Sequence, residues 1–227
     1  KIKKQKIYKQ LKNIQLITPS VWLNNLVKKS SLKKFANTTI YNGVDTNKYK
    51  PKKINQQKII ITTVISGGFQ SPFKGGELIK NLIPLIKNLD LELHFVGGKK
   101  KHRDSNIIYH GKLDQKQLIN QYQQSTAILV PSLADNCPMV IIESLSCGIP
   151  VIATKVGGIP ELITHKKNGY LADPNLNSLL NGINWLMKLN NKEINKIKKN
   201  NRQKTLKNFS LSTMVNKYEK LYHSLSS

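Results

Sequence analysis

The sequence predicts an α/β fold in which a parallel β-sheet is flanked by helices. Short apolar runs rich in isoleucine and valine alternate with amphipathic stretches, which is the pattern of successive βα units. A long polar turn begins at Pro131, directly after one of these runs. Because ligands of open α/β sheets lie beyond the carboxyl ends of the strands, this turn also marks the expected position of a binding site.

The individual elements follow from hydrophobic periodicity. Strands are predicted at residues 58–65, 91–96, 106–109, 126–130 and 149–153. Helices are predicted at residues 75–88 and 113–123, from near Pro138, at 175–207 with a break at 190–192, and at 211–225. The helix over 75–88 has apolar residues at spacings of three and four, and Asp114 is the expected N-cap of the next helix.

The beginning and the end of the chain differ from this central pattern. A basic helical stretch over residues 1–11 leads to a predicted strand at 14–18, a Pro-Ser turn and a helix through Trp22. We therefore expect residues 1–43 to be the remnant of an N-terminal domain and 44–53 to be an interdomain linker. The remaining ranges are a ligand-binding domain at 54–207 and, at 208–227, a helix that packs back across the interface.

The formal net charge of +25 at pH 7 would attract phosphate groups of any origin. Only Arg103 and Arg202 are arginines among 37 basic residues, although arginine is the usual choice for bidentate phosphate and base contacts. The dispersed lysines fit the bias of an AT-rich genome, and the alternative is attraction toward an anionic membrane. No recognition helix or stacking platform is evident, so we expect no nucleic-acid partner and keep polyanion binding as a remote alternative.

The sequence has no run of 18 apolar residues and no apolar stretch with a cleavage site behind its basic start. We therefore expect a cytoplasmic protein, either free or peripheral at the inner membrane face. Cys137 and Cys147 are expected to be free thiols that fill space in the core. Neither makes a zinc spacing with a histidine, so no metal is expected.

The most informative stretch is PSLADNCPMVIIESLSCGIP at residues 131–150. It turns into a helix near Pro138, and the free N–H groups at such a helix start favour a phosphate. Asp135 lies in the turn and Glu143 about two helical turns later, so their carboxylates can face a ligand at separate points. On spacing alone, a solvated helix residue is the commoner role for Glu143, and a turn or N-cap residue is as common for Asp135.

These motifs resemble the family four retaining glycosyltransferases of the GT-B type, which are built from two Rossmann-like domains. The family signature is Pro-Ser, two residues, Glu, seven residues, Glu, then Ala-x-Ala-x-Gly-x-Pro-Val, and residues 131–151 are similar to it. Further similar segments are ATKVGGIPE at 153–161, NGYL at 168–171, IYNGVD at 40–45 and TPS at 18–20. The resemblance implies a Rossmann-like C-terminal domain, one half of a GT-B enzyme, behind a remnant of the acceptor domain.

By this resemblance, Glu143 binds ribose hydroxyls and Asp135 stands where the family's first glutamate contacts the donor sugar. Aspartate is one methylene shorter than glutamate, and Asn136-Cys137-Pro138 replaces the commoner Gly-Phe-Gly, with no N–H on the proline. Both departures concern the identity of the sugar more than donor binding. The implied donor-binding stretch at this turn is completed by Met139 and Val140.

The resemblance also implies contacts to the diphosphate and the base. The family neutralises the diphosphate with an arginine and a lysine. Lys74 supplies the lysine, whereas the segment SGGFQ at 66–70 lacks the arginine. Gly67 and Gly68 either let the backbone approach the donor or simply make a turn, and the same alternatives apply to the pair at 157–158. The backbone of the Tyr109-His110-Gly111 segment is implied to read the base from a loop, with His110 as a loop residue.

The implied reaction transfers a hexose-like unit from a nucleoside diphosphate sugar to a hydroxyl of a glycan or lipid-linked acceptor, with retention, in polysaccharide biosynthesis. Lys74, Asp135 and Glu143 are the implied catalytic residues. No metal or other cofactor is implied, because Lys74 and the helix N-terminus would stabilise the leaving diphosphate. The alternative is a truncated or degenerate donor-binding protein without catalysis, which the missing arginine, Asp135 and the short N-terminal part favour.

Overall fold

A small βαβ unit precedes the main sheet of the chain, of which the computed structural model describes residues 7–8, 10–12, 14–53 and 58–226. Strand β1 (Gln15–Thr18) pairs in parallel with β2 (Ala36–Thr39), and helix α1 (Val21–Lys28) connects them. The predicted strand and helix in this region are confirmed. The predicted helix over 1–11 falls largely on residues 1–6 and 9, which lie outside the described residues.

Six parallel strands form the main sheet, in the order β5-β4-β3-β6-β7-β8. This confirms the predicted α/β class with a parallel sheet. Strand β8 and strand β2 were not predicted, because their sequences lack the apolar run that marks the other strands. The strands are β3 (Ile59–Val64), β4 (Leu91–Asp104), β5 (Ile107–Gly111), β6 (Ala127–Val130), β7 (Val151–Thr154) and β8 (Gly169–Ala172).

Helices cover the sheet and confirm the predicted helical segments, with bounds that differ by a few residues. Asp114 caps α3 (Gln115–Gln124) through a capping box with Gln117. Asn190 caps α7 (Asn191–Asn208) in the same way through Glu193, so the predicted break near 190 is a new helix start. The helices are α2 (Gly76–Ile86), α3 (Gln115–Gln124), α4 (Met139–Ser146), α5 (Ile159–Leu162), α6 (Leu176–Met187), α7 (Asn191–Asn208) and α8 (Leu211–Ser226).

The core lies on both faces of the main sheet. Every residue of β6 and β7 is buried, as expected for strands that helices cover on both sides. One apolar cluster joins β6 and β7 to α4 and Phe209, and another joins β3 and β4 to α2 and α6. No helix in the described part of the chain combines the length and apolar composition needed to cross a bilayer.

The segment 44–53, predicted as a linker, is fixed to the main domain through two buried side chains within residues 44–49. Val44 and Tyr49 are 3% and 5% exposed, and Val44 exchanges backbone hydrogen bonds with Phe209 and Leu211. The guanidinium of Arg202 on α7 donates to the carbonyls of Thr46, Tyr49 and Ser146. This side chain therefore fixes the segment to the end of α4, whereas the division of the chain into domains at residue 44 stays a prediction.

Replacement of Arg202 by methionine should lower the free energy of unfolding by about 2 to 3 kcal/mol, since carbonyls would lose a charged donor. Urea denaturation measures this change. Arg103→Met is the matched control, because the side chain of Arg103 is 58% exposed and donates to Glu92 and to the carbonyl of Ser105. The Arg103→Met variant should lose less than about 1 kcal/mol in the free energy of unfolding. Equal losses in both variants would show that Arg202 does not fix the segment.

Candidate functional site

An open cleft of about 550 Å³ lies at the carboxyl ends of β3 and β5, beside the irregular middle of β4 at Gly97 and Gly98. Its walls carry stacked rings: Tyr109 lies against His102, with centroids 4.0 Å apart and planes at 11°, and Phe69 lies against Phe95 at 4.4 Å. A cleft with flat aromatic walls suits a planar ring system. The lining residues are Gly67, Gly68, Phe69, Gln70, Phe95, Gly97, Gly98, His102 and Tyr109.

The predicted donor-binding residues at 67–68 and 109–111 divide into two groups. Gly67, Gly68 and Tyr109 line the cleft. His110 and Gly111 belong to strand β5, so the expectation that they form a loop after the strand is wrong. The strand is longer than expected because its pairing with β4 continues as far as Gly111. The imidazole of His110 contacts the buried His94, and His110 Nε2 lies 3.0 Å from His94 Nδ1.

Lys74 and Asp135 form an ion pair. Lys74 Nζ lies 2.7 Å from Asp135 Oδ2, which also accepts from the hydroxyl of Ser132, and Oδ1 accepts from the backbone N–H of Asn136. The Asp135 side chain is 10% exposed, whereas that of Lys74 is 42% exposed. The structure thus joins two of the predicted catalytic residues into one unit, with the carboxylate inside and the ammonium toward solvent.

The position of Lys74 depends on its glycine neighbour. Gly75 has a φ of +72°, and a Cβ at this position would lie 1.9 Å from the carbonyl oxygen of Pro131. The carbonyl of Phe73 accepts from the N–H groups of Leu133 and Ala134. The segment before α2 therefore lies directly on the turn that carries Asp135, because glycine permits the backbones to touch.

A second glycine turn supports the opposite side of Asp135. Gly157 has a φ of +56°, a Cβ on it would lie 1.7 Å from the carbonyl oxygen of Asp135, and the same carbonyl accepts from Gly158 N–H. Of the two alternatives for this glycine pair, the structure shows a turn that packs on the 135–136 backbone. Gly67, in contrast, makes a turn at φ +87° and also lines the cleft.

The turn continues into helix α4 through Cys137 and Pro138, which is the N-cap rather than the first helical residue. Both cysteines are free and buried, as predicted, and burial raises the pKa of Cys137 to about 11 and that of Cys147 to about 12. Met139 and Val140 occupy the first turn of α4 and pack against the core. First-turn N–H groups have no intrahelical acceptor, so this end of α4 can receive an anion.

Glu143 points into the protein rather than into solvent. The hydroxyl of Tyr122 donates to its Oε2 over 2.8 Å, and Tyr122 itself is fully buried. Burial raises the pKa of the Glu143 carboxyl, while hydrogen bonds from Tyr122 and Tyr49 lower it. The interpretation of Glu143 as a solvated helix residue is therefore wrong, because two tyrosines from distant segments surround it.

The N-terminal unit also contacts this turn, through residues that the sequence did not single out as functional. Ser20 Oγ donates to Asn136 Oδ1, and Asn42 Nδ2 donates to the carbonyl of Cys137. Glu161 accepts from the first two N–H groups of α1, at 2.9 and 2.7 Å, and from the hydroxyl of Tyr41. Burial and this hydrogen bond raise the pKa of Tyr41. The segment 40–45 gave no charge or spacing signal for these contacts.

Taken in sheet order, the groups form a row along the carboxyl edge. The aromatic cleft follows β5, β4 and β3; Lys74 comes after β3, and Asp135 and helix α4 come after β6. A planar ring, an anion and a polar group with hydroxyls would find matching partners along this row. Within the described residues, no three histidine, cysteine, aspartate or glutamate side chains gather as a metal site would require.

Comparison with known families shows an extended match. The family model described as glycosyl transferases group 1 matches residues 45–204. An uncharacterized glycosyltransferase from Methanocaldococcus jannaschii is 30% identical over 198 residues, which are 82% of this chain and 53% of that protein. The chain thus spans about half the length of this relative.

Solved structures show the same fold. A glycosyltransferase from Rickettsia africae superimposes with a TM-score of 0.86 at 21% identity, covering 98% of this chain and 67% of that chain. The HepE protein of Anabaena, solved in complex with UDP, has a TM-score of 0.76 at 21% identity and covers 92% of this chain and 63% of that one. The predicted fold of one GT-B half is confirmed, whereas assignment to family four stays a prediction.

Gly157→Ala should lower the free energy of unfolding by at least about 2 kcal/mol, because the methyl group would displace the Asp135 backbone in addition to straining φ. Gly98→Ala is the matched control. Gly98 also has a positive φ, but a Cβ there meets nothing within 4 Å. Chemical denaturation compares the two variants, and equal losses would contradict the close contact between Gly157 and Asp135.

Proposed function

The chain belongs to the glycosyl transferases of group 1, and we propose that it binds a nucleoside diphosphate sugar for transfer, with retention, to a hydroxyl of a glycan or lipid-linked acceptor. One observation carries this proposal: three features lie side by side along one edge of the sheet. They are the aromatic cleft, the Lys74–Asp135 ion pair, and Glu143 with its hydrogen bond from Tyr122. These groups match the base, the diphosphate and the ribose hydroxyls of a nucleoside diphosphate sugar.

In the proposed complex, the base lies in the cleft between the 66–70 turn and Tyr109. The stacked rings of the cleft wall supply apolar surface for a planar base, and Gly97 and Gly98 leave backbone groups accessible to it. The UDP complex of the Anabaena HepE protein, which shares the fold, supports a uridine nucleotide as the first candidate. Backbone contacts from the end of β5 would then read the edge of the base.

Catalysis depends on stabilising the diphosphate, because it is the leaving group and takes the developing negative charge when its bond to the sugar breaks. We place it between the exposed ammonium of Lys74 and the first turn of α4, where Met139 and Val140 lie. Asp135 holds this lysine from the buried side, so it acts chiefly as a positioning residue for Lys74. Lys74 and the helix N-terminus together are proposed to stabilise the leaving group without a metal ion.

The acceptor is proposed by chemical class alone, since the chain spans about half of its Methanocaldococcus relative. The net charge of +25 favours an approach to anionic surfaces, which supports a site of action at the inner face of a membrane and a role in polysaccharide synthesis. Residues that contact the N-terminal unit, above all Glu161, would align an acceptor domain with the donor turn.

Calorimetric titration of the chain with UDP and with GDP tests the donor site. One nucleotide should bind with a dissociation constant between about 1 μM and 1 mM. Lys74→Ala should weaken that binding about tenfold or more, because a charge-assisted contact to phosphate is lost. Lys80→Ala is the control, since Lys80 is exposed on α2 and pairs with the equally exposed Glu77; its affinity should equal that of the wild type.

The same titration includes random RNA at two salt concentrations. Binding of a nucleotide with little dependence on salt, and dependence on Lys74 but not Lys80, agrees with the proposal. If neither nucleotide binds while RNA binds with a steep salt dependence, the chain is a polyanion binder and the proposed donor site is wrong.

A further inference from the structure

Tyr122 lies beneath Glu143 in the core and has no exposed surface. We propose that Tyr122, together with Tyr49, is a positioning residue that fixes the Glu143 carboxylate for recognition of a vicinal ribose diol. This inference rests on the proposed function and adds to it the residues that make the donor site selective for ribonucleotides.

The first support is the rigidity of the tyrosine. Tyr122 lies on α3, 21 residues before Glu143, and its ring belongs to the apolar cluster with Ile128, Ile141 and Val151. A ring held on all sides by core residues keeps its hydroxyl at one point. Because the hydroxyl donates to Oε2 over 2.8 Å, the carboxylate of Glu143 is held in one rotamer before any ligand arrives.

Tyr49 supplies a second constraint from another part of the chain. Its ring lies 6.3 Å from that of Tyr122, its hydroxyl contributes a hydrogen bond to Glu143, and Gln115 Nε2 approaches the same hydroxyl at 3.5 Å. The backbone of Tyr49 is itself fixed, because its carbonyl accepts from Arg202 and Ser146. The rotamer of Glu143 therefore depends on α3, α7 and the segment 44–53.

Charge is the second support. Burial alone would raise the pKa of Glu143 and favour the neutral acid, and the tyrosine hydrogen bonds oppose this effect. Burial and the proximity of Glu143 also raise the pKa of Tyr122, so the phenol stays a donor. The remaining titratable neighbour is Cys147, whose pKa of about 12 keeps it neutral near pH 7. Burial prevails, so the pKa of Glu143 is raised overall, and the tyrosine hydrogen bonds limit this rise and stabilise the anionic form that accepts from hydroxyls.

The third support is acceptor capacity. An ionised carboxylate has about four acceptor positions on its two oxygens, of which Tyr122 occupies one on Oε2 and Tyr49 another. The positions that remain can accept from two neighbouring hydroxyls, which is the arrangement of a ribose. A deoxyribose offers one hydroxyl fewer, so a fixed Glu143 should distinguish the two sugars.

Tyr122→Phe tests the inference, with titrations of the bound ribonucleotide and its 2′-deoxy analogue from about pH 5 to about pH 8. The variant should bind the ribonucleotide about tenfold more weakly and the deoxy analogue nearly as well as the wild type. The pKa of Glu143 should rise without the phenol. Since the anion binds the ribose, the loss of affinity on acidification should begin at a higher pH than in the wild type.

Two further variants make the test specific. Glu143→Gln keeps a polar side chain next to Tyr122 but cannot titrate, so it should remove both the ribose preference and its dependence on pH. Tyr218→Phe on the outer helix α8 is the control for the loss of a phenol and should match the wild type. If thermal melting shows that Tyr122→Phe is unfolded, Tyr49→Phe is tested instead. It should lower the preference for ribose over deoxyribose and move the loss of affinity on acidification to a higher pH.

The outcomes separate the inference from the proposed function. If the wild type binds neither ribonucleotide nor deoxy analogue, the donor site fails and the inference fails with it. If the wild type binds but the tyrosine variant weakens both nucleotides equally, with an unchanged pH profile, the proposed function stands and Tyr122 is only a core residue.

Discussion

The close approach of the 131–136 backbone to two glycine turns is the constraint on which the rest of the site depends. Gly75 touches the carbonyl of Pro131 and Gly157 touches that of Asp135, at separations that any Cβ would forbid. Because both turns follow strands of the main sheet, the sheet itself sets the position of the turn between them. The Lys74–Asp135 pair and the start of α4 take their places from this contact rather than from their own hydrogen bonds.

Hydrogen bonds also connect the N-terminal unit to the 131–137 turn and to helix α5. Ser20, Asn42 and Glu161 connect them through hydrogen bonds that bridge segments more than 90 residues apart. A residue such as Glu161, which accepts at the start of α1, also gains from the positive end of the helix dipole. A shift of the N-terminal unit would therefore move Asn136 and Cys137, which lie beside the position proposed for the sugar.

The sequence predicted most of the main sheet, because apolar runs bounded by turns identify buried parallel strands. It did not predict β2 or β8, whose sequences ANTT and GYLA are too short or too polar to stand out. The family resemblance also indicated Lys74, Asp135 and Glu143 without showing what each one contacts. Their partners lie 61 and 21 residues away, and only tertiary packing brings Lys74 to Asp135 and Tyr122 to Glu143. Periodicity likewise could not show that His110 stays within a strand.

The most direct test of the donor site is the crystal structure of the chain with UDP bound. We expect the uracil in the aromatic cleft beside Tyr109, a phosphate oxygen within about 3 Å of Lys74 Nζ, and a ribose hydroxyl within hydrogen-bond distance of Glu143. A nucleotide found elsewhere, for example in the basic cleft between Lys166, Lys167 and Lys196, would contradict this expectation. So would a nucleotide in the aromatic cleft whose phosphates contact neither Lys74 nor the start of α4.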